Sequence, residues 1–223
     1  MGSASVSNAG PSRRTVPAGG VELEGELALP PGCTAVVLFP HGSGNARPAG
    51  DALAARALGE AGLGTLVLDL LTAEEQALDA RKACFRFDMD KLGGRLAAAA
   101  AWLAAEAGRP VCCFAGGNAA AAALTAAANH PTAFAALVTN EGRPDLADEA
   151  LPRVAAPTLL LVDGSDEPLI GINRTGLARL GAAHKELVVL EGTAALVDDD
   201  GEAVEAAHHA ARWFRAQLGG QGA

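Results

Sequence analysis

The segment Val111 to Leu124, VCCFAGGNAAAAAL, poses the first chemical question. An apolar run leads into the small-residue turn Ala115-Gly116-Gly117-Asn118-Ala119, and an Ala-rich helix follows. A strand, a sharp turn and a helix in that order expose a serine, cysteine or aspartate for attack on a carbonyl. Here the central position is Gly117, which has no side chain. Other groups able to do chemistry stand just past apolar runs. His41 and Ser43 follow AVVLFP, Glu141 follows AFAALVTN, and Asp166 follows PTLLLVDG. Glu141 could serve as a base or as a salt-bridge partner.

These residues need a frame that gathers run ends together. VELEGELALP (21–30) alternates apolar and polar, as a half-exposed edge strand does. AVVLFP (35–40), GTLVLDLL (64–71), PVCCFA (110–115), AFAALVT (133–139), PTLLLVDG (157–164) and KELVVLEG (185–192) read as strands, mostly buried ones. Helices are expected over 51–61, 91–107, 118–129, near 173–180 and over 201–218. Such alternation predicts the α/β class: a mostly parallel twisted sheet with helices on both faces. In such sheets functional groups collect beyond the carboxyl ends of the strands. That rule selects 41–45, Asp69, 116–118, 140–143, 163–166 and 193–195.

Length and charge set the bounds. With 223 residues the chain fits one domain with a sizeable core. The expected division is a disordered tail over 1–20, a single domain over 21–218 and a flexible tail over 219–223. The net charge of -9 argues against nucleic acid and anionic membrane as partners. No apolar run reaches the ~20 residues needed to span a bilayer. Cys33, Cys84, Cys112 and Cys113 lack metal-ligand spacing, so no metal and no cofactor are expected. The cytoplasm is the expected compartment. A small molecule is the expected partner, with a homodimer left open.

Several segments together resemble the α/β-hydrolase fold, specifically the dienelactone-hydrolase-related group. They are LFPHGSGNAR (38–47), LGTLVLDLLTAEE (63–75), FRFDM (85–89), EGRPDLA (141–147), APTLLLVDGSDEP (156–168) and ARWFRAQL (211–218). The resemblance implies cleavage of esters or lactones by a nucleophile, an acid and a histidine in that chain order. Carried over position by position, the nucleophile falls on Gly117, the acid on Asp166 and the histidine on Ala195 or a neighbour, where no histidine stands. Two of the three positions therefore lack the needed side chain. Losing triad members costs about a million-fold in a serine protease, so ordinary triad hydrolysis is not expected. The resemblance also implies an oxyanion hole. Its donors would be the backbone N–H of Asn118 and one near Ser43. No large lid is expected, because only 141–155 separate two strands where lids are often inserted.

Each candidate also has a purely structural reading. Gly117 suits a tight turn, Asn118 a helix cap, Asp166 a loop or cap, and Glu141 a surface turn. His41 could bond its own backbone. Ser43 could be a displaced nucleophile, but no base accompanies it in sequence. The expected site is a concavity near Gly117 rimmed by His41, Ser43, Asn118, Glu141 and Asp166. Three functions compete: a non-hydrolytic catalyst acting on a small carbonyl compound by cyclisation, elimination or isomerisation; an inactive binding protein; and a hydrolase with a relocated nucleophile.

Overall fold

The computed structural model describes residues 10–42, 49–190 and 199–219. The strands are β1 (Ser12–Ala18), β2 (Val21–Ala28), β3 (Val36–His41), β4 (Gly64–Asp69), β5 (Val111–Gly116), β6 (Leu137–Asn140), β7 (Thr158–Asp163) and β8 (Lys185–Leu190). They form one eight-stranded sheet in the order β1-β2-β4-β3-β5-β6-β7-β8. From β4 to β8 all neighbours are parallel; β1 and β2 run antiparallel at one edge. The helices are α1 (Ala49–Glu60), α2 (Ala73–Lys82), α3 (Met89–Ala107), α4 (Gly117–Asn129), α5 (Glu167–Arg179) and α6 (Asp199–Gly219). A 3-10 run spans Pro144–Arg153, and no inserted lid domain occurs among the described residues.

The expected N-terminal tail is too long. Ser12–Ala18 is a full strand paired with β2 from Ser12↔Leu27 to Ala18↔Val21. The link is the pair Gly19 and Gly20, at φ +60° and +81°. Positive φ at both turn residues is what a two-residue hairpin requires, and glycine supplies it without strain. Val16 and Ala18 are buried beneath this hairpin. At the other end, α6 runs to Gly219, one residue into the expected tail.

Helices cover both faces. α1 and α6 pack on one side over Val37, Phe39, Cys112, Phe114 and Leu161. α3, α4, α5 and the 3-10 run pack on the other, over Val36, Leu38, Cys113, Ala115 and Leu160. Alternate residues of β3 and β5 thus enter different cores, as the two-residue period of a strand dictates. α4 is buried from Ala119 to Ala128. Its methyl side chains let neighbours come close: a Cβ on Gly93 of α3 would lie 3.2 Å from the Ala122 carbonyl oxygen. The packing sets α4 firmly behind the turn at Gly117. No helix among the described residues is long and apolar enough to cross a membrane.

Candidate functional site

The carboxyl ends of the strands form a row. His41 of β3 is paired in register with Asp69, Gly116 of β5 with Asn140 of β6, and Asp163 of β7 with Leu190. At its centre, β5 turns directly into α4. Gly116 caps the helix with φ −104° and ψ 159°, and it has no side chain to bond the first turn. The N-cap is therefore Gly116, not Asn118, which lies inside the first turn. Gly117 has φ +50°, the left-handed region. A Cβ built there meets nothing within 4 Å among the described residues. The turn thus sets a left-handed glycine between β5 and α4, at the position to which the resemblance assigns the nucleophile. The first N–H groups of any α-helix lack intrahelical acceptors, and they favour negative charge. Gly116 supplies no capping side chain to those of α4.

Glu141 lies beside this turn. The next strand brings it there: Gly116 is adjacent to Asn140, and the Arg143 N–H donates to the Gly117 carbonyl at 3.2 Å. Glu141 itself has φ +51°. A non-glycine residue in that region is held at a cost of about 1–2 kcal/mol, so the surroundings must fix it. The Glu141 N–H donates to the Leu161 carbonyl at 3.0 Å. The Glu141 Oε1 accepts from the Asp163 N–H at 2.6 Å. Burial pushes the Glu141 carboxyl above its ordinary range; the Asp163 N–H opposes this, and the charges of Asp163, Asp166 and Glu202 add to it. A half-buried carboxyl with raised proton affinity, held at the end of β7, thus belongs to the turn whose Arg143 N–H bonds Gly117 at the start of α4.

The other candidates are placed differently. Asp166 is exposed and caps α5, its Oδ1 accepting from the Leu169 N–H at 2.9 Å. His41 closes β3, half-buried, and its carbonyl accepts from the Leu70 N–H at 2.8 Å. Ser43, one of the five residues expected to rim the site, and Ala195 lie outside the described residues. Cys112 and Cys113 are buried on opposite faces of β5; burial pushes the Cys112 thiol up to about 12 and Cys113 higher still. Such thiols stay protonated and poorly nucleophilic at neutral pH. Among the described residues no group of three His, Cys, Asp or Glu is placed to hold a metal. A cleft of about 430 Å³ lies elsewhere, lined by residues including Phe87, Met89, Thr125, Asn129, Leu146 and Arg153. Thr125 and Asn129 are about 12–18 Å along α4 from Gly117, so this cleft is not the elbow site.

Sequence reasoning missed two groups that shape the site. Asn173 of α5 is wholly buried and donates to the Gly142 carbonyl at 3.0 Å. Glu75 pairs with Arg95 and Lys91 just beyond β4. The spacing TAEE (72–75) carried the signal for the second. Thr72 and Glu75 form a capping box at the start of α2, a helix the sequence reading did not place. Nothing in the sequence near Asn173 points to Glu141, which lies over thirty residues away.

The fold has known counterparts. The crystal structure of a dienelactone hydrolase from Anabaena variabilis is 40% identical, covers 92% of this chain and 98% of that one, and superposes with a TM-score of 0.84. Est1E from Butyrivibrio proteoclasticus (11% identical; 93% and 99% covered; TM-score 0.68) and the esterase domain of a Rhodothermus marinus protein (17%; 94% and 100%; 0.71) share the fold alone. Two Mycobacterium tuberculosis proteins, each named a "putative phosphoribosyl transferase", are 37% identical over 211 residues. The match takes 93% of this chain but 46% of theirs, so the chain spans about half the length of these curated relatives. No family model matches the chain.

Proposed function

Because the chain belongs to the dienelactone-hydrolase-related family of the α/β-hydrolase fold, we propose that it works from that family's elbow without that family's nucleophile. The reading is of a non-hydrolytic catalyst acting on a small carbonyl compound. Glu141 is its acid–base group, and the first turn of α4 holds the developing oxyanion. Glu141 takes the proton from the carbon beside the carbonyl. The C–H electron pair moves into the new C=C bond, and the carbonyl oxygen becomes an enolate. The Asn118 N–H stabilises that charge. Returning the proton to another carbon gives isomerisation; expelling a neighbouring leaving group gives elimination. Neither route forms an acyl-enzyme. Gly117 then leaves room for substrate where a serine would stand, and the triad is degenerate by design rather than incomplete.

The observation that carries this reading is Glu141 itself: a half-buried carboxyl in a strained backbone conformation, with a raised proton affinity, in the turn whose Arg143 N–H bonds Gly117 at the start of α4. Strain and perturbed acidity together are what a working acid–base group shows. A second reading, an inactive binding protein, draws support from Asp166, which is exposed and occupied as a helix cap. Phosphoribosyl transfer, in the name of the Mycobacterium relatives, is not favoured, since this chain matches only about half of those proteins. The test is to incubate the protein in D2O with a panel of small ketones and lactones and follow proton loss beside the carbonyl by NMR. The expected outcome is enzyme-dependent exchange that Glu141→Gln abolishes. Exchange at the buffer rate across the panel would leave the binding protein standing, and enzyme-dependent exchange undiminished in Glu141→Gln would overturn Glu141 as the acid–base group.

A further inference from the structure

Glu141 is held by a turn, and that turn has an anchor outside the sheet. The Asn173 Nδ2 donates to the Gly142 carbonyl at 3.0 Å and to the Leu169 carbonyl at 3.0 Å. The residue is 0% exposed. Its Oδ1, also buried, meets no donor among the described residues. A buried amide with half of its bonding capacity unused costs stability, and an apolar side chain of the same size would avoid that cost. What the amide contributes is therefore its Nδ2 contacts.

The contact at Gly142 is a demanding one. A Cβ at Gly142 would lie 2.9 Å from the Ala120 Cβ of α4 and 3.0 Å from the Thr139 Cβ of β6. The glycine is thus pressed between helix and sheet, and its carbonyl is tied to α5. On either side, the Glu141 N–H is bonded to Leu161 and the Arg143 N–H to Gly117.

We infer that Asn173 is the positioning residue of Glu141, its buried amide locking the Glu141–Arg143 turn between α5, β6 and α4. The inference rests on the reading of Glu141 as the acid–base group and says how that group is kept in its strained conformation. Asn173 touches neither Glu141's carboxyl nor a substrate in this account. It acts through the Gly142 carbonyl, and through the turn it fixes how Glu141 Oε1 meets the Asp163 N–H. The charged groups that bear on Glu141 are Asp163, Asp166 and, from α6, Glu202. Asn173 is uncharged, so its effect on Glu141 is one of placement and burial.

The experiment uses the full chain, labelled for NMR, without substrate. Asn173→Leu and Asn173→Ala are compared with the native protein and with Thr175→Ala, an exposed position on the same helix. In folded Asn173 variants, the Asp163 and Arg143 amides should exchange about three- to tenfold faster. The Glu141 carboxyl should titrate lower, toward its ordinary range. Thr175→Ala should change neither. A folded Asn173→Leu with both readouts unmoved overturns the inference. If neither variant folds, the native side-chain amide decides: exchange of the Asn173 NH2 as fast as that of exposed Asn129 also overturns it. These readouts need no turnover. A failed D2O assay and a failed positioning test are therefore separate results.

Discussion

Glu75→Gln should destabilise the protein by about 3 kcal/mol at neutral pH, and the loss should vanish in acid. Glu75 sits at the third position of α2. Its Oε2 accepts from the Thr72 N–H at 3.0 Å and Arg95 Nη1 at 2.5 Å. Its Oε1 accepts from Arg95 Nη2 at 2.9 Å and Lys91 Nζ at 2.6 Å. Arg95 is 5% exposed and also donates to the Leu70 carbonyl at 2.8 Å. The Arg95 guanidinium, helped by Lys91 and Thr72 against the cost of burial, holds the Glu75 carboxyl down at about 2, against an ordinary 4.5. At about 1.4 kcal/mol per pH unit that difference is worth about 3 kcal/mol. Because the folded-state value is depressed, this stability is fully present above pH 4.5 and is lost as pH falls toward 2. Glutamine keeps an acceptor but leaves two cations without a counter-charge, one of them buried, which is the costly case. In a chain of this size the melting temperature should fall by about 6–12 °C. Urea unfolding of both proteins at neutral pH and near pH ~3 measures it. A neutral-pH loss below about 1 kcal/mol, or an equal loss at both pH values, would mean Glu75 behaves as a solvated surface pair. The network matters to the site because α3 carries Leu92, whose Cδ1 lies 3.4 Å from where a Gly42 Cβ would be, just past β3.

Two further outcomes follow from the backbone around the elbow. Gly117→Ala should cost only about 1 kcal/mol, for the positive φ alone, whereas Gly142→Ala should cost about 1–3 kcal/mol through its contacts with Ala120 and Thr139; the reverse order in urea midpoints would refute the geometry of the turn. Glu141→Gln should be neutral or stabilising at neutral pH. Its raised carboxyl gives the native protein stability that is complete at low pH and lost as pH rises from the ordinary carboxyl range through the raised one. The variant should therefore gain on the native protein as pH rises through that window, and a gap that narrows instead contradicts the burial of the carboxyl.

Much of the frame was legible because it depends on local patterns. Continuous apolar runs marked β3, β4, β5 and β7, and their ends placed Gly117, Glu141 and Asp166 on one edge of the sheet. The misses have physical reasons. β1 is polar at Ser12, Arg13 and Arg14, because only its later residues are covered by the core. Its signal was the Gly19-Gly20 turn rather than its own hydrophobicity. α5 begins six residues before the expected start near Asn173, since Asp166 caps it and Pro168 suits its first turn. Asn118 looked like a cap because asparagine favours that position, but the strand hands over to the helix at Gly116. The character of Glu141 was not legible at all. Its position could be read from the end of β6, but its burial and its left-handed backbone come from β7 and α5, which are distant in sequence.

The central claim is that the elbow supplies no nucleophile, and a fluorophosphonate probe tests it most directly. The unmodified protein, incubated with the probe and mapped by peptide mass spectrometry, should show no labelling above a heat-denatured control, because Gly117 offers no activated hydroxyl. Robust labelling at Ser43, Cys112 or Cys113 would contradict the account and establish a hydrolase whose nucleophile has moved.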